Sequence, residues 1–161
     1  MIARSEPRAP TGDGPPLAPE RDAAHLYGQT VTLPRGGSMQ RCRILLVDDH
    51  PLLLEVLNRF LAEVSGIEIV ARASDGLEAM SLAVVHRPDL VVTNLALPGL
   101  GGLELTRCLA AQPRAPRIVL MSFHDESEYR HAADAAGADG FILKQELGTK
   151  LVPMIQSLME E

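Results

Sequence analysis

Two apolar periods alternate along most of this chain. Short runs of branched apolar residues, typical of buried β-strands, occur at 43–47 (RILLV), 67–73 (IEIVARA), 90–94 (LVVTN), 117–121 (RIVLM) and 139–143 (DGFIL). Segments with apolar residues at helical spacing lie between these runs and after the last one. The alternation predicts an α/β fold, in which five βα units build an open parallel sheet.

Each predicted helix carries an apolar stripe in which residues three or four positions apart share one face. The five stripes are Leu53, Val56, Leu57, Phe60, Leu61 and Val64; Ala79, Met80 and Ala83; Leu105, Cys108 and Leu109; Tyr129, Ala132, Ala133 and Ala136; and Leu151, Met154, Ile155 and Leu158. Gly137 is suited to end the fourth helix, because glycine readily adopts the left-handed conformation found there. Pro153 fits the fifth helix only if that helix starts near Lys150, so that the missing N–H falls in the first turn.

Residues 1–40 differ in composition from the rest of the chain. They contain six of the twelve prolines and no sustained apolar period. Such a segment cannot bury enough apolar surface to offset the entropy lost on ordering. We therefore expect a flexible extension over residues 1–40 and a single domain over residues 41–161.

Composition also limits the class of protein. The formal net charge is −6, and Lys and Arg form no cluster suited to a nucleic-acid backbone. No apolar run approaches the roughly 18 residues of a membrane span, and the first residues lack the apolar segment of a signal peptide. Cys42 and Cys108 are too far apart for a metal or redox pair and are interpreted as small buried residues. We expect a cytoplasmic protein that binds neither nucleic acid nor a membrane directly.

Polar residues end or follow four of the predicted strands. Asp48 and Asp49 follow the first strand and Asn94 ends the third, while Ser122 and Lys144 follow the fourth and fifth. The carboxyl ends of parallel strands meet at one edge of the sheet, where ligands of doubly wound folds bind. Carboxylates suit Mg²⁺, and a lysine with a hydroxyl suits phosphoryl oxygens. The pattern predicts a site for a cation and a phosphoryl group that lacks a nucleophile.

Simpler interpretations apply to these residues one at a time. Acidic residues after a strand often only cap a helix, and a lone strand-end hydroxyl such as Ser122 is usually hydrogen-bonded locally. Phe141 alone is more typical of a core residue. We expect His50 to be a solvated residue of the first helical turn. The combination of several polar strand ends at one edge is what favours a site.

Four segments, ILLVDDH, PDLVVTNLALPG, MSF and ADGFILK, resemble the landmark segments of the receiver domains of bacterial response regulators, most closely those of the NarL-like subfamily. The resemblance covers about residues 41–161. It implies a flavodoxin-like (βα)₅ doubly wound parallel sheet with strand order 2-1-3-4-5. It also implies a regulatory module of two-component phosphorelay signalling rather than an enzyme. The implied partners are a histidine kinase and proteins that contact the fourth helix, fifth strand and fifth helix. The resemblance leaves open whether the chain forms a homodimer.

The resemblance assigns the cation site to four residues. Asp48 and Asp49 are the acidic pair, and the family's metal ligands correspond to Asp49, the backbone carbonyl of Ala96 and the residue at position 94. Position 94 is where the family carries the aspartate that accepts the phosphoryl group. This chain has Asn94 there instead.

Three further positions match the parts of the family that respond to phosphorylation. Ser122 corresponds to the switch hydroxyl, Phe141 to the switch aromatic and Lys144 to the lysine that contacts the phosphoryl group. Gln145 replaces the proline that usually follows this lysine. The landmark positions are therefore present except at residues 94 and 145.

The amide of Asn94 changes the expected chemistry. A carboxamide is a poor nucleophile, so we expect no phosphorylation at Asn94. With two carboxylates instead of three, Mg²⁺ binding is expected to be weakened, which frees Lys144 to pair with Asp48 and Asp49.

Three readings of the chain follow. In the first reading Asn94 is natural, and the chain is a pseudo-receiver. In the second reading Asn94 is an engineered replacement of aspartate. In the second case the chain is a truncated form of an ordinary phosphorylatable receiver from a DNA-binding transcriptional regulator. A phosphohydrolase or a flavin-binding protein on the same fold is a more distant alternative, because fold alone does not fix function.

Overall fold

The computed structural model describes residues 41–160, and the expected extension over residues 1–40 lies outside this range. The strands are β1 (Cys42–Val47), β2 (Ile67–Ala73), β3 (Leu90–Asn94), β4 (Arg117–Ser122) and β5 (Gly140–Leu143). The helices are α1 (Pro51–Ala62), α2 (Gly76–His86), α3 (Gly102–Ala110), α4 (Ser127–Ala136) and α5 (Leu147–Met159). Strands and helices alternate as the apolar pattern predicts.

All five strands are parallel and lie in the order β2-β1-β3-β4-β5. This order confirms the flavodoxin-like doubly wound sheet. The chain changes its direction of winding between β1 and β3, which are neighbours at the centre of the sheet. A crevice therefore opens beyond the carboxyl ends of β1 and β3, the position at which such sheets place their functional groups.

Helices cover both faces of the sheet. On one face α1 and α5 pack over Ile44 and Leu46 of β1, and on the other α2 and α3 pack over Leu45 and Val47. Successive residues of a strand point to opposite faces, so a strand covered on both faces is apolar throughout. This explains the uninterrupted apolar runs at residues 44–47 of β1 and 90–92 of β3.

Two predicted helix faces differ from the observed ones. In α1 the buried line is Leu54, Leu57 and Leu61, whereas Val56 and Phe60 of the predicted stripe are exposed. The same spacing of i, i+3 and i+7 fits both lines, and contact with the sheet selects the line of leucines.

In α3 the predicted burial of Cys108 is wrong, because its side chain is exposed. The buried residues of this helix are Gly102, Leu105, Thr106 and Leu109. Thr106 is polar, but its hydroxyl donates to the carbonyl of Gly102 over 2.7 Å. A buried hydroxyl whose hydrogen bond is made inside its own helix can replace an apolar residue at little cost.

The predicted start of the last helix near Lys150 is also wrong. A 3₁₀ turn at Lys144–Glu146 leads directly into α5, which begins at Leu147, so Pro153 lies inside the helix. Proline has no N–H to donate to the carbonyl of Thr149. Pro153 and Thr149 are both exposed, so the missing hydrogen bond lies on the solvent side of the helix.

Two helices end in the left-handed conformation. Gly137 does so after α4 with φ 96°, as predicted from its sequence position, and Arg87 does so after α2 with φ 46°. Over residues 41–160, none of the helices is long and apolar enough to span a bilayer.

Candidate functional site

The acidic pair lies directly after the central strand β1. Residues 44–47 are completely buried, and Asp48 continues the strand into the crevice with its N–H bonded to the carbonyl of Ala73 over 3.1 Å. The side chain of Asp48 is fully buried, whereas that of Asp49 is 38% exposed. The two carboxylates therefore differ in their access to water.

Lys144 enters the crevice from the end of β5. Its Nζ lies 2.7 Å from Oδ2 of Asp48, and its side chain is only 3% exposed. A buried charge is costly unless it is paired and hydrogen-bonded. Asp48 and Lys144 meet that condition together, and the pair joins β1 to β5 across the sheet edge.

Asn94 occupies the middle of the crevice, at the end of β3. Its Nδ2 donates to the carbonyl of Ala96 over 2.6 Å and to Oδ1 of Asp49 over 3.3 Å. Both partners only accept hydrogen bonds, so the nitrogen rather than the oxygen of the amide faces them. Asn94 therefore presents a hydrogen-bond donor toward the two oxygens that the family resemblance assigns to a cation.

The connection from β3 to α3 depends on a close backbone approach. The N–H of Gly102 donates to the carbonyl of Leu95 over 2.9 Å. A Cβ atom at residue 102 would lie 2.2 Å from the carbonyl oxygen of Asn94. Only glycine allows α3 to start this close to the end of β3, and the contact fixes the loop that carries Ala96.

Ser122 and Phe141 lie on the side of the site nearest α4. Ser122 is buried at the end of β4, and its Oγ accepts the N–H of His124 over 3.0 Å. Phe141 is half-buried on β5, and the guanidinium carbon of Arg130 lies 4.8 Å from its ring centroid. Their contacts link the strand ends to the loop before α4 and to α4 itself.

Two residues at the site were not predicted. His50 Nδ1 lies 3.0 Å from Oδ1 of Asp48 and 3.3 Å from Oδ1 of Asp49. Phe123 places its ring centroid 4.9 Å from Nζ of Lys144, and its carbonyl accepts from Nε2 of Gln145 over 3.1 Å. The only available signal was their position one residue beyond predicted site residues, which indicates nearness but not contact.

The donor set has the chemistry of a Mg²⁺ site but not the arrangement of one. Ligand atoms of Asp48, Asp49 and His50 lie within 4.8 Å of one another, and carboxylate and carbonyl oxygens are the ligands that Mg²⁺ prefers. However, Lys144 neutralises Asp48, and the amide nitrogen of Asn94 takes up the oxygens of Asp49 and Ala96. As they stand, these residues do not fit a bound Mg²⁺.

Comparisons with known proteins agree with the fold. The model of the response regulator receiver domain family matches residues 44–156. The chain is 34% identical to the response regulator GacA of Pseudomonas viridiflava over 116 residues, which cover 72% of this chain and 53% of GacA. The chain belongs to the family of response regulator receiver domains.

Solved structures of response regulators are also similar to this chain. A two-component response regulator of the LuxR family from Aurantimonas sp. SI85-9A1 superposes with a TM-score of 0.71 at 37% identity, covering 75% of this chain and 86% of that one. The receiver domain of the putative response regulator NarL from Mycobacterium tuberculosis gives 0.72 at 30% identity, covering 75% and 98%. The chain spans about half the length of the curated relatives it matches.

Proposed function

We propose that this chain is a receiver-type regulatory module of two-component signal transduction that acts through protein contacts and is not phosphorylated at residue 94. The observation that carries the proposal is the position of the Asn94 amide in the middle of the crevice, bonded to Asp49 and Ala96. An amide nitrogen is engaged in resonance and its oxygen is a poor nucleophile, so the group at the centre of the site is not suited to attack phosphorus.

The remaining residues support a receiver. Asp48 and Lys144 form a buried ion pair, and Ser122 lies buried at the end of the neighbouring strand β4. In this proposal Asp49 and Ala96 hold the cation position, and Ser122, Phe141 and Lys144 hold the switch and phosphate-contact positions. The domain extends over residues 41–161 and works as a regulator rather than as an enzyme.

The proposed partners are proteins. A histidine kinase and partner domains are the interacting proteins expected of a receiver, and the surface of α4, β5 and α5 is the proposed contact face. The stacking of Arg130 on Phe141 supports this face, since it couples α4 to β5. The LuxR-family assignment of the similar Aurantimonas protein supports a role as part of a two-component response regulator of that family, while this chain itself is not proposed to contact DNA.

The proposal is tested by exposing the purified chain to a small phosphodonor with Mg²⁺ and measuring the intact mass. The wild type is expected to gain no phosphoryl group, and Asn94→Asp is expected to gain one, at residue 94, because the other positions of the site are present. Asn58→Asp, which adds the same carboxylate on α1, serves as the control and is expected to remain unlabelled.

Two outcomes of this experiment contradict the proposal. Labelling of the wild-type chain at any residue of the crevice would show that it is phosphorylated after all. Failure of folded Asn94→Asp to become labelled would show that the crevice is not a receiver site lacking only its nucleophile. Prompt labelling of Asn94→Asp also fits an engineered replacement in an ordinary receiver, which the gene sequence at this codon distinguishes from a natural asparagine.

A further inference from the structure

We infer that the amide group of Asn94 is a built-in substitute for the cation, which makes the crevice complete without a metal ion. The inference goes beyond the proposed function, because it concerns what holds the crevice together rather than whether the chain signals. It starts from the hydrogen bonds that Nδ2 makes to Ala96 over 2.6 Å and to Asp49 over 3.3 Å.

The first argument is geometric. A primary amide has two N–H donors, and here both oxygens lie within hydrogen-bonding distance of Nδ2. A Mg²⁺ ion needs oxygen ligands at about 2.0–2.1 Å, so it has to occupy the same space between Asp49 and Ala96. A cation can therefore enter only if Asn94 gives up both hydrogen bonds and moves its nitrogen away.

Rotation of the amide without a bound cation is unfavourable. Turning the amide over points Oδ1 at the carboxylate of Asp49 and the carbonyl of Ala96, which places three acceptors together. That arrangement is unfavourable unless a cation lies among them. The amide nitrogen of Asn94 and a cation therefore cannot occupy this position together. The amide is favoured because it is attached to the chain and does not have to bind from solution.

The second argument is charge. The carboxylate of Asp48 is completely buried and is already paired with Lys144, and its other oxygen accepts the backbone N–H of His50 over 2.9 Å. Two carboxylates and one ammonium leave one formal negative charge, which belongs to Asp49. This carboxylate is partly exposed, accepts a hydrogen bond from Asn94 and lies 3.3 Å from Nδ1 of His50. A single formal negative charge therefore remains to attract a divalent ion.

The third argument concerns the loop after β3. Ala96 is exposed and lies on the connection to α3, and its carbonyl is tied to the strand end through Asn94. Leu95 is tied separately, through its N–H to Met121 over 2.8 Å and its carbonyl to Gly102 over 2.9 Å. Asn94 thus supplies, from inside the chain, the link between Asp49 and this loop that a bridging cation would otherwise provide.

The test compares Asn94→Ala with the wild type and with Asn94→Asp. Thermal melting of the purified full chain is followed in a chelator and with increasing Mg²⁺ at constant ionic strength set with NaCl. If the amide substitutes for the cation, the wild-type melting temperature moves by less than about 1 °C with Mg²⁺. The melting temperatures of both variants are expected to lie below that of the wild type in the chelator and to rise on addition of Mg²⁺.

Asn94→Ala is the decisive variant because it removes the amide without adding a carboxylate. We expect Mg²⁺ to raise its melting temperature by about 2–4 °C, and that of Asn94→Asp by more. If weak binding came only from the missing third carboxylate, Asn94→Ala would be as insensitive to Mg²⁺ as the wild type, and the inference would be overturned. A wild type stabilised as strongly as Asn94→Asp would overturn it too.

Two controls make the result independent of folding defects and of the proposed function. Asn58→Asp carries the same added charge outside the crevice and is expected to show no response to Mg²⁺. Mn²⁺ binding, counted from the electron paramagnetic resonance signal of the free ion, gives a direct readout that is expected to follow the same order of variants. Neither readout depends on phosphorylation, so the inference and the proposed function fail separately.

Discussion

The ammonium of Lys144 and the carboxylate of Asp48 lie 2.7 Å apart and are almost completely buried. They come from opposite sides of β3 in the sheet, one following β5 and the other following β1. The pair therefore links the ends of β1 and β5 across the ends of β3 and β4. It also removes one carboxylate from any role in attracting a cation, which leaves Asp49 as the accessible acidic group.

Breaking this pair should destabilise the chain strongly. Lys144→Met leaves the carboxylate of Asp48 buried without its counter-charge, which costs about 3–5 kcal/mol in the free energy of unfolding. Lys150→Met removes an exposed ion pair with Glu146, and such i,i+4 pairs contribute only about 0.3–0.5 kcal/mol. Urea unfolding of the two variants measures the difference. Equal losses would show that the buried pair does not have the proposed importance.

A matched pair of glycines tests the close approach of α3 to β3. Gly102→Ala places a Cβ 2.2 Å from the carbonyl of Asn94, and forcing backbone apart in this way typically costs about 1–3 kcal/mol. Gly148→Ala meets no atom within 4 Å and lies in α5, where alanine is favoured over glycine by about 1 kcal/mol. We expect opposite shifts of the melting temperature. Similar shifts in the same direction would contradict the described contact.

The observed face of α1 makes a second matched comparison. Leu57 is buried against the sheet, and its replacement by alanine should cost about 2–5 kcal/mol. Val56 is exposed, so Val56→Ala should change stability by no more than about 0.5 kcal/mol. Denaturant unfolding distinguishes the two. A large loss of stability for Val56→Ala would show that Val56 is buried, as the sequence alone predicted.

The two thiols should differ sharply in reactivity. Burial, followed by the negative charge of Asp89, raises the pKa of the Cys42 thiol from 9.0 to about 12, whereas Cys108 is exposed. The thiolate is the reactive form. Near neutral pH, Cys108 should therefore react quickly with a disulfide reagent, and Cys42 should react only after unfolding. Cys108→Ser should abolish the fast reaction and Cys42→Ala should keep it. Two fast thiols in the wild type would contradict the burial of Cys42.

The sheet and the crevice could be predicted because each depends on a strong local signal. The run LVVTN is apolar over its first residues and ends in a polar one, which is typical of a central parallel strand that delivers its last side chain to the edge. Parallel pairing then brings the carboxyl ends of the strands to one edge of the sheet, independently of the conformation of the loops. For the same reason Asp48, Asn94 and Lys144 could be assigned to one site from the sequence alone.

The details that the sequence missed depend on tertiary contact. Leu52, Leu53, Leu54, Val56 and Leu57 are all apolar, so several lines along α1 satisfy the helical period, and only packing on the sheet decides among them. The predicted pairing of Lys144 with both aspartates reduces to Asp48, since Asp49 contacts Asn94 and His50 instead. The direction of the Asn94 amide depends on its acceptor neighbours, which no spacing in the sequence reveals.

The cation substitution depends on which way the Asn94 amide points, and the side-chain N–H signals of Asn94 in a ¹⁵N–¹H spectrum test this most directly. The chain has only two asparagines, Asn58 and Asn94, and Asn94→Asp identifies the pair of signals that belongs to residue 94. We predict that this pair exchanges slowly with water and keeps its positions when Mg²⁺ is added. Fast exchange, or a shift of these signals on titration with Mg²⁺, would contradict the account.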